Sequence, residues 1–165
     1  MSIQPLITIL EQLLEAHESL LELSREKTQE LVSNNVNQLN LIVNKESKLV
    51  RHISELDKQR FHEIGKYLIS RGYNPNPQVT VSDLIRLIFK AEEKQALLHA
   101  HKQLIVVLEK LKEINISNQQ LIQQSLSFID YTIDLVMGPS EEDVVYRNPT
   151  LQKSDKRMGM FDRRA

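Results

Sequence analysis

A chain of 165 residues with no Cys, no Trp, only four Gly and a hydrophobic content of 41% has the composition of long helices and not of sheet. Its 21 basic and 22 acidic residues leave a formal charge of −1, so no net field recruits nucleic acid or inserts the chain into an anionic membrane. Absence of Cys removes disulfides, zinc–thiolate sites and thiol nucleophiles together. The start of the chain lacks a signal-like apolar core and no stretch has the roughly 18 apolar residues of a membrane span, so the expected location is cytoplasmic.

Gly and Pro punctuate the sequence at few places. Between Leu6 and Arg71 the one breaker is Gly65, and between Gln78 and Met137 there is none. The first arm, about Pro5 to Arg71, opens with Ser2 as N-cap and Pro5 in the first turn, where a missing N–H costs little. Ile3, Leu6, Leu10, Leu13, His17 and Leu20 recur at steps of three and four, and Ile7, Leu14, Leu21 and Leu31 widen that stripe. Ser33-Asn34-Asn35 predicts a break or kink, with Asn35 capping a new helix at Val36. That helix continues through Leu39, Ile42, Val43, Leu49, Val50, Ile53, Leu56, Phe61, Ile64 and Leu68 to a C-terminal cap at Gly72.

The Pro-rich stretch 72–79 cannot be helical and serves as the connection between arms. Thr80-Val81-Ser82-Asp83 is a capping box with Asp in the usual Glu position, so a second arm starts at about Val81 and runs to Met137, where Gly138-Pro139 stops it. Leu84, Ile85, Leu87, Ile88 and Phe89 make its first turns apolar nearly all round, which predicts burial. Residues 138–165 hold six basic and five acidic side chains without apolar period, which predicts a disordered tail. The expected fold is all-α: an elongated antiparallel helical hairpin, or coiled-coil-like array, of three to four helices with a disordered C-terminal tail. A compact four-helix bundle is the alternative. Residues 1–137 form one helical domain and 138–165 a flexible tail in this reading.

No two of the four Gly lie close enough for a phosphate-binding loop, and the candidates weighed for a metal site on a helix, His99/His101 two apart on different faces and His62-Glu63 beside Asp57-Lys58, do not make a ligand set at i, i+3 or i+4. Neither a metal, a cofactor nor a catalytic residue is expected, and the chain does not read as an enzyme. His17 on the apolar stripe reads as a seam histidine with its ring edge to solvent. The enzymatic competitor is a histidine phosphotransfer domain, with His101-Lys102 as its site. Gln103 and Leu104 stand where that family commonly has a small residue.

The feature above generic helix is the polar interruption of the last seam by Asn115, Asn118, Ser125 and Thr132. One account makes these a register device inside the protein's own helix packing, as a buried Asn is in coiled coils. The other makes this face a soluble docking stripe for an amphipathic partner helix, with Leu121, Ile122, Leu126, Ile129, Ile133 and Val136 as contacts. Apolar residues at 121, 122, 126, 128, 129, 133, 135 and 136 exceed what one hairpin partner covers. A homodimeric coiled-coil scaffold would use the same surplus.

At the level of whole segments the sequence resembles the FlgN family of flagellar export chaperones. The resemblance is carried by Leu13 to Lys27 (LLEAHESLLELSREK), Leu39 to Leu49 with Lys45-Glu46, Thr80 to Ile88, and Asn115 to Leu126 (NISNQQLIQQSL), followed by Met160 to Ala165 (MFDRRA). It implies a protein of bacterial flagellum biogenesis and type III secretion. Such a chaperone binds hook-filament junction (hook-associated) proteins by their terminal helices, prevents their premature assembly and delivers them to the flagellar export gate. It further implies cargo binding on about Asn115 to Met137 and contact with the export gate through a Tyr, for which Tyr131 and Tyr146 are candidates. A monomer or weak dimer is expected.

Overall fold

The computed structural model describes residues 2–138; Met1 and residues 139–165, with the expected disordered tail, lie outside the described residues. Four α-helices account for nearly all of it: α1 Gln4–Val32, α2 Val36–Ser70, α3 Val81–Leu87 and α4 Ala91–Met137. The described residues contain no strand, so the all-α class holds. The chain divides into two units, Met1–Ile122 and Gln123–Ala165. The described part of the second is the end of α4.

Local chemistry places most helix ends where the sequence predicts them. Pro5 lies in the first turn of α1, but the N-cap position is Ile3, without a side-chain cap. Ser2 stands one residue earlier and its Oγ accepts the N–H of Gln4 at 3.2 Å. Asn35 caps α2 by accepting the N–H of Gln38 at 3.3 Å. Both α1 and α2 end in the same C-terminal motif, a left-handed residue just past the helix: Asn34 at φ 55° and Gly72 at φ 80°. Asn35 N–H donates to Glu30 O and Asn34 N–H to Leu31 O; Tyr73 N–H donates to Leu68 O and Gly72 N–H to Ile69 O. Asn is the residue after Gly that tolerates this conformation best.

That motif corrects the reading of residues 33–35. They do not kink one long arm; they reverse the chain, because a left-handed residue swings the exit direction and Asn35 then caps a helix running back. Lys27 Nζ of α1 meets Glu46 Oε1 of α2 at 2.8 Å, both side chains mostly buried. Ala16 and Ser19 share a surface with Leu49 and His52, and Leu10 and Leu13 with Ile53 and Arg60, so α2 is antiparallel to α1. Within the first unit α4 then runs parallel to α1: Leu10 and Leu13 border His101 and Leu104, whereas Ser24 and Thr28 meet Asn115 and Asn118.

The main core collects at the end of the unit where α1 begins and α2 finishes. Leu6, Leu10, Leu13, Leu56, Ile64 and Leu68 join Leu84, Ile88, Leu97 and Leu104 there, with Leu84 and Leu97 fully buried. A smaller cluster, Leu21 with Val107 and Leu111, continues along α1 and α4. Fully burying such a side chain contributes roughly 1.5–3 kcal/mol, and packing of this kind stabilises the helices more than intrinsic propensity does.

The second arm differs from expectation in being two helices. Ile88 leaves α3 in an extended conformation (ψ 124°) and is buried, whereas Phe89 is 86% exposed instead of buried. A continuous helix would place Phe89 on the buried face one turn after Ile85; the extended step keeps Ile88 in the core and turns its neighbour Phe89 outward before α4 starts afresh. The start signal was present in the sequence as Glu92 and Glu93, acidic residues in a first turn.

Candidate protein-binding face on the last helix

On α4 the seam facing the rest of the first unit repeats every seven residues. Leu97, Leu104, Leu111 and Asn118 hold one position of the repeat, and Ala100, Val107 and Ile114 the other; all are buried except Ile114, which is half-buried. The first position therefore changes from Leu to polar residues at Asn118 and stays polar at Ser125 and Thr132.

Asn118 is 2% exposed and its amide is used internally. Its Nδ2 donates to Ser24 O at 2.9 Å, and its Oδ1 lies 2.6 Å from Thr28 Oγ1, which also sits 3.0 Å from Ser24 O, so the single hydroxyl proton serves one acceptor at a time. Ser24, likewise buried, donates toward Asn115 Oδ1 at 3.4 Å. This polar layer matches α1 to α4 at one register, because a shift by a turn strands a buried amide without partners. Of the two accounts of the polar seam, the internal register device describes Asn118. Thr132 is exposed and donates to Phe128 O at 2.8 Å, so it is satisfied within its own helix.

The expected contact residues fall on two stripes. Leu121 occupies the seven-residue seam and is half-buried. Ile122, Leu126, Ile129, Ile133 and Val136 follow one another at steps of four and three, which keeps them within an arc of about 80° on the helix. They are 39%, 56%, 51%, 48% and 78% exposed. From Gln123 to Met137 no apolar side chain of α4 is buried. Phe128 and Leu135, which continue the seam past Leu121, are also exposed and widen the apolar surface; the heptad spacing carried that signal. Tyr131 is exposed two residues from both Ile129 and Ile133, hence on the far side of the helix from them. Tyr146 lies outside the described residues.

The histidines enter a different setting. An open groove of about 420 Å³ in the first unit is bordered by His17, His101, Leu13, Leu104, Asp57 and Arg60. His17 Nδ1 donates to Leu13 O at 2.7 Å in the tautomer that carries its proton there, and Arg60 Nε pairs with Asp57 Oδ1 at 2.8 Å. His101 is half-buried in this groove beside exposed Lys102. Among the described residues no three His, Cys, Asp or Glu side chains come together as metal ligands, and no helix is long and apolar enough to cross a membrane.

Against known proteins, a family model described as FlgN protein matches residues 1–152. The uncharacterized protein YvyG of Bacillus subtilis (strain 168) is 33% identical over 168 aligned positions that cover all of both chains. No solved structure matches.

Proposed function

Because the chain belongs to the FlgN family, whose members are flagellar export chaperones, we propose that it binds hook-filament junction (hook-associated) proteins in the cytoplasm and delivers them to the flagellar type III export gate. The observation that carries this reading is the exposed stripe Ile122, Leu126, Ile129, Ile133 and Val136 on a helix whose last fifteen residues bury none of their apolar side chains. The chaperone acts by stoichiometric masking: a terminal helix of the cargo covers the stripe and is thereby kept from premature assembly. No chemical step is required of any residue. Covering the exposed half of five aliphatic side chains contributes on the order of 5 kcal/mol before the cost of ordering the cargo. Phe128 and Leu135 add further area at the flank. Tyr131, on the far side, remains available for the export gate while cargo is bound, and in this reading residues 1–137 form the chaperone domain.

The test is a pair of substitutions on the stripe, Ile129→Asp with Ile133→Asp, measured by light scattering on a column with a purified hook-associated protein. The expected outcome is a one-to-one complex for the native chain and its loss in the double variant, with far-ultraviolet circular dichroism nearly unchanged. Undiminished binding by the double variant, or an obligate dimer that ignores the cargo, sinks the reading.

A further inference from the structure

The stripe on α4 has a one-sided charge environment. From Ile114 to Met137 the helix holds no Lys or Arg, and its charged residues over this length are Asp130 and Asp134. At 100° per residue both carboxylates fall along one edge of the stripe, with Ser125 and Thr132 along the other. The last turn also carries unsatisfied carbonyls and no basic residue, so the carboxylates add to the negative end of the helix dipole. An occupant of this surface must supply apolar side chains together with cations. A second copy of α4 brings the same two carboxylates and nothing to neutralise them.

Residues 153–165 have the complementary composition. They hold five cations, at Lys153, Lys156, Arg157, Arg163 and Arg164, against Asp155 and Asp162, and place Met158, Met160 and Phe161 between them. We propose that this segment of the same chain occupies the α4 stripe as an intramolecular placeholder. Its Met and Phe side chains cover Leu126, Ile129 and Ile133, and its cations face Asp130 and Asp134. The connection permits this: the fourteen residues 139–152 span up to roughly 50 Å when extended, whereas Ile122 to Met137 covers about 22 Å of helix. Gly138, at φ 80°, follows the last residue of the helix. Tethering gives an effective concentration in the millimolar range, so an intrinsically weak contact suffices to hold the stripe until a tighter partner displaces it. The competition with a partner rests on the function proposed above; the contact itself does not.

The absence of Cys makes the test direct. A nitroxide is attached to Ser154→Cys in the full chain, and the methyl resonances of α4 are recorded. The expected result is concentration-independent broadening at Leu126, Ile129, Ile133 and Val136, abolished in a chain that also carries K156E, R157E, R163E and R164E. The same charge-reversed chain binds a hook-associated protein several-fold more tightly. Broadening that appears only when labelled and unlabelled chains are mixed assigns the stripe to a second copy and overturns the proposal, as does an α4 left sharp. If the broadening is found but no junction protein binds either chain, the placeholder stands and the chaperone reading falls.

Discussion

Asn118 shows how much one side chain specifies here. It occupies a place that the preceding heptads fill with Leu, and both ends of its amide reach α1, to Ser24 O and Thr28 Oγ1. Replacement by Ala leaves buried polar groups on α1 without their partner, so Asn118→Ala should lower unfolding stability by about 1–3 kcal/mol. Urea denaturation checks this, and a double cycle with Thr28→Val should show the two losses to be less than additive. The sequence made Asn118 visible as a polar mark on an apolar seam. It could not show whether the mark faced inward or outward, because the deciding partners lie some ninety residues earlier. Leu121 and Ile122 illustrate the same limit: adjacent apolar residues at the edge of a stripe, separated into half-buried and exposed only by tertiary packing.

Among the elements, α3 depends most visibly on its cap. Thr80 Oγ1 accepts the N–H of Asp83 at 3.1 Å, while the Asp83 carboxylate accepts from the Thr80 hydroxyl at 2.6 Å and from its N–H at 3.0 Å. The Thr80 hydroxyl foremost, then its N–H, hold the Asp83 carboxyl below its ordinary value, against a small opposing effect of burial. A depressed folded value means that the contribution is complete above the ordinary carboxylate range and is lost as pH falls through the folded value. Acid titration of the melting temperature should therefore show a component below the ordinary carboxylate range that Asp83→Asn removes. This capping box was legible at once, since its residues are three apart. The interruption after Leu87 was marked only by the acidic start signal at Glu92 and Glu93, because helical spacing of apolar residues persists across Ile88 and Phe89 while the backbone departs from it. The reversal at Asn34 was only half legible: poor helix formers announce a break, but the angle between the two helices comes from a single positive φ. The lengths of α1 and α2 follow from periodicity, but their apolar faces were read only in outline: Val43, Val50 and Phe61, placed on the stripe of α2, are exposed, whereas Tyr67 is buried.

For the molecule as a whole, protection from exchange should be graded along α4. Amides around Leu97 to Leu111 sit beneath buried contacts to α1 and should exchange only on global unfolding. Those from Gln123 to Met137 lack buried apolar side chains and should exchange orders of magnitude faster. Hydrogen exchange followed by mass spectrometry measures the gradient, and a partner bound to the stripe should flatten it.

The parallel pairing of α1 with α4 also dictates an order of assembly. The α1 and α2 helices are joined by three residues and can pair as soon as both are made, a local closure with little loop entropy. The face of α1 that needs Leu97, Leu104 and Leu111 stays uncovered until synthesis has passed those residues, far down the chain. On the ribosome, then, the leucine-rich stripe of α1 is without its final neighbour for most of translation, and a chain halted before α4 emerges is left with the aggregation hazard that the finished fold removes.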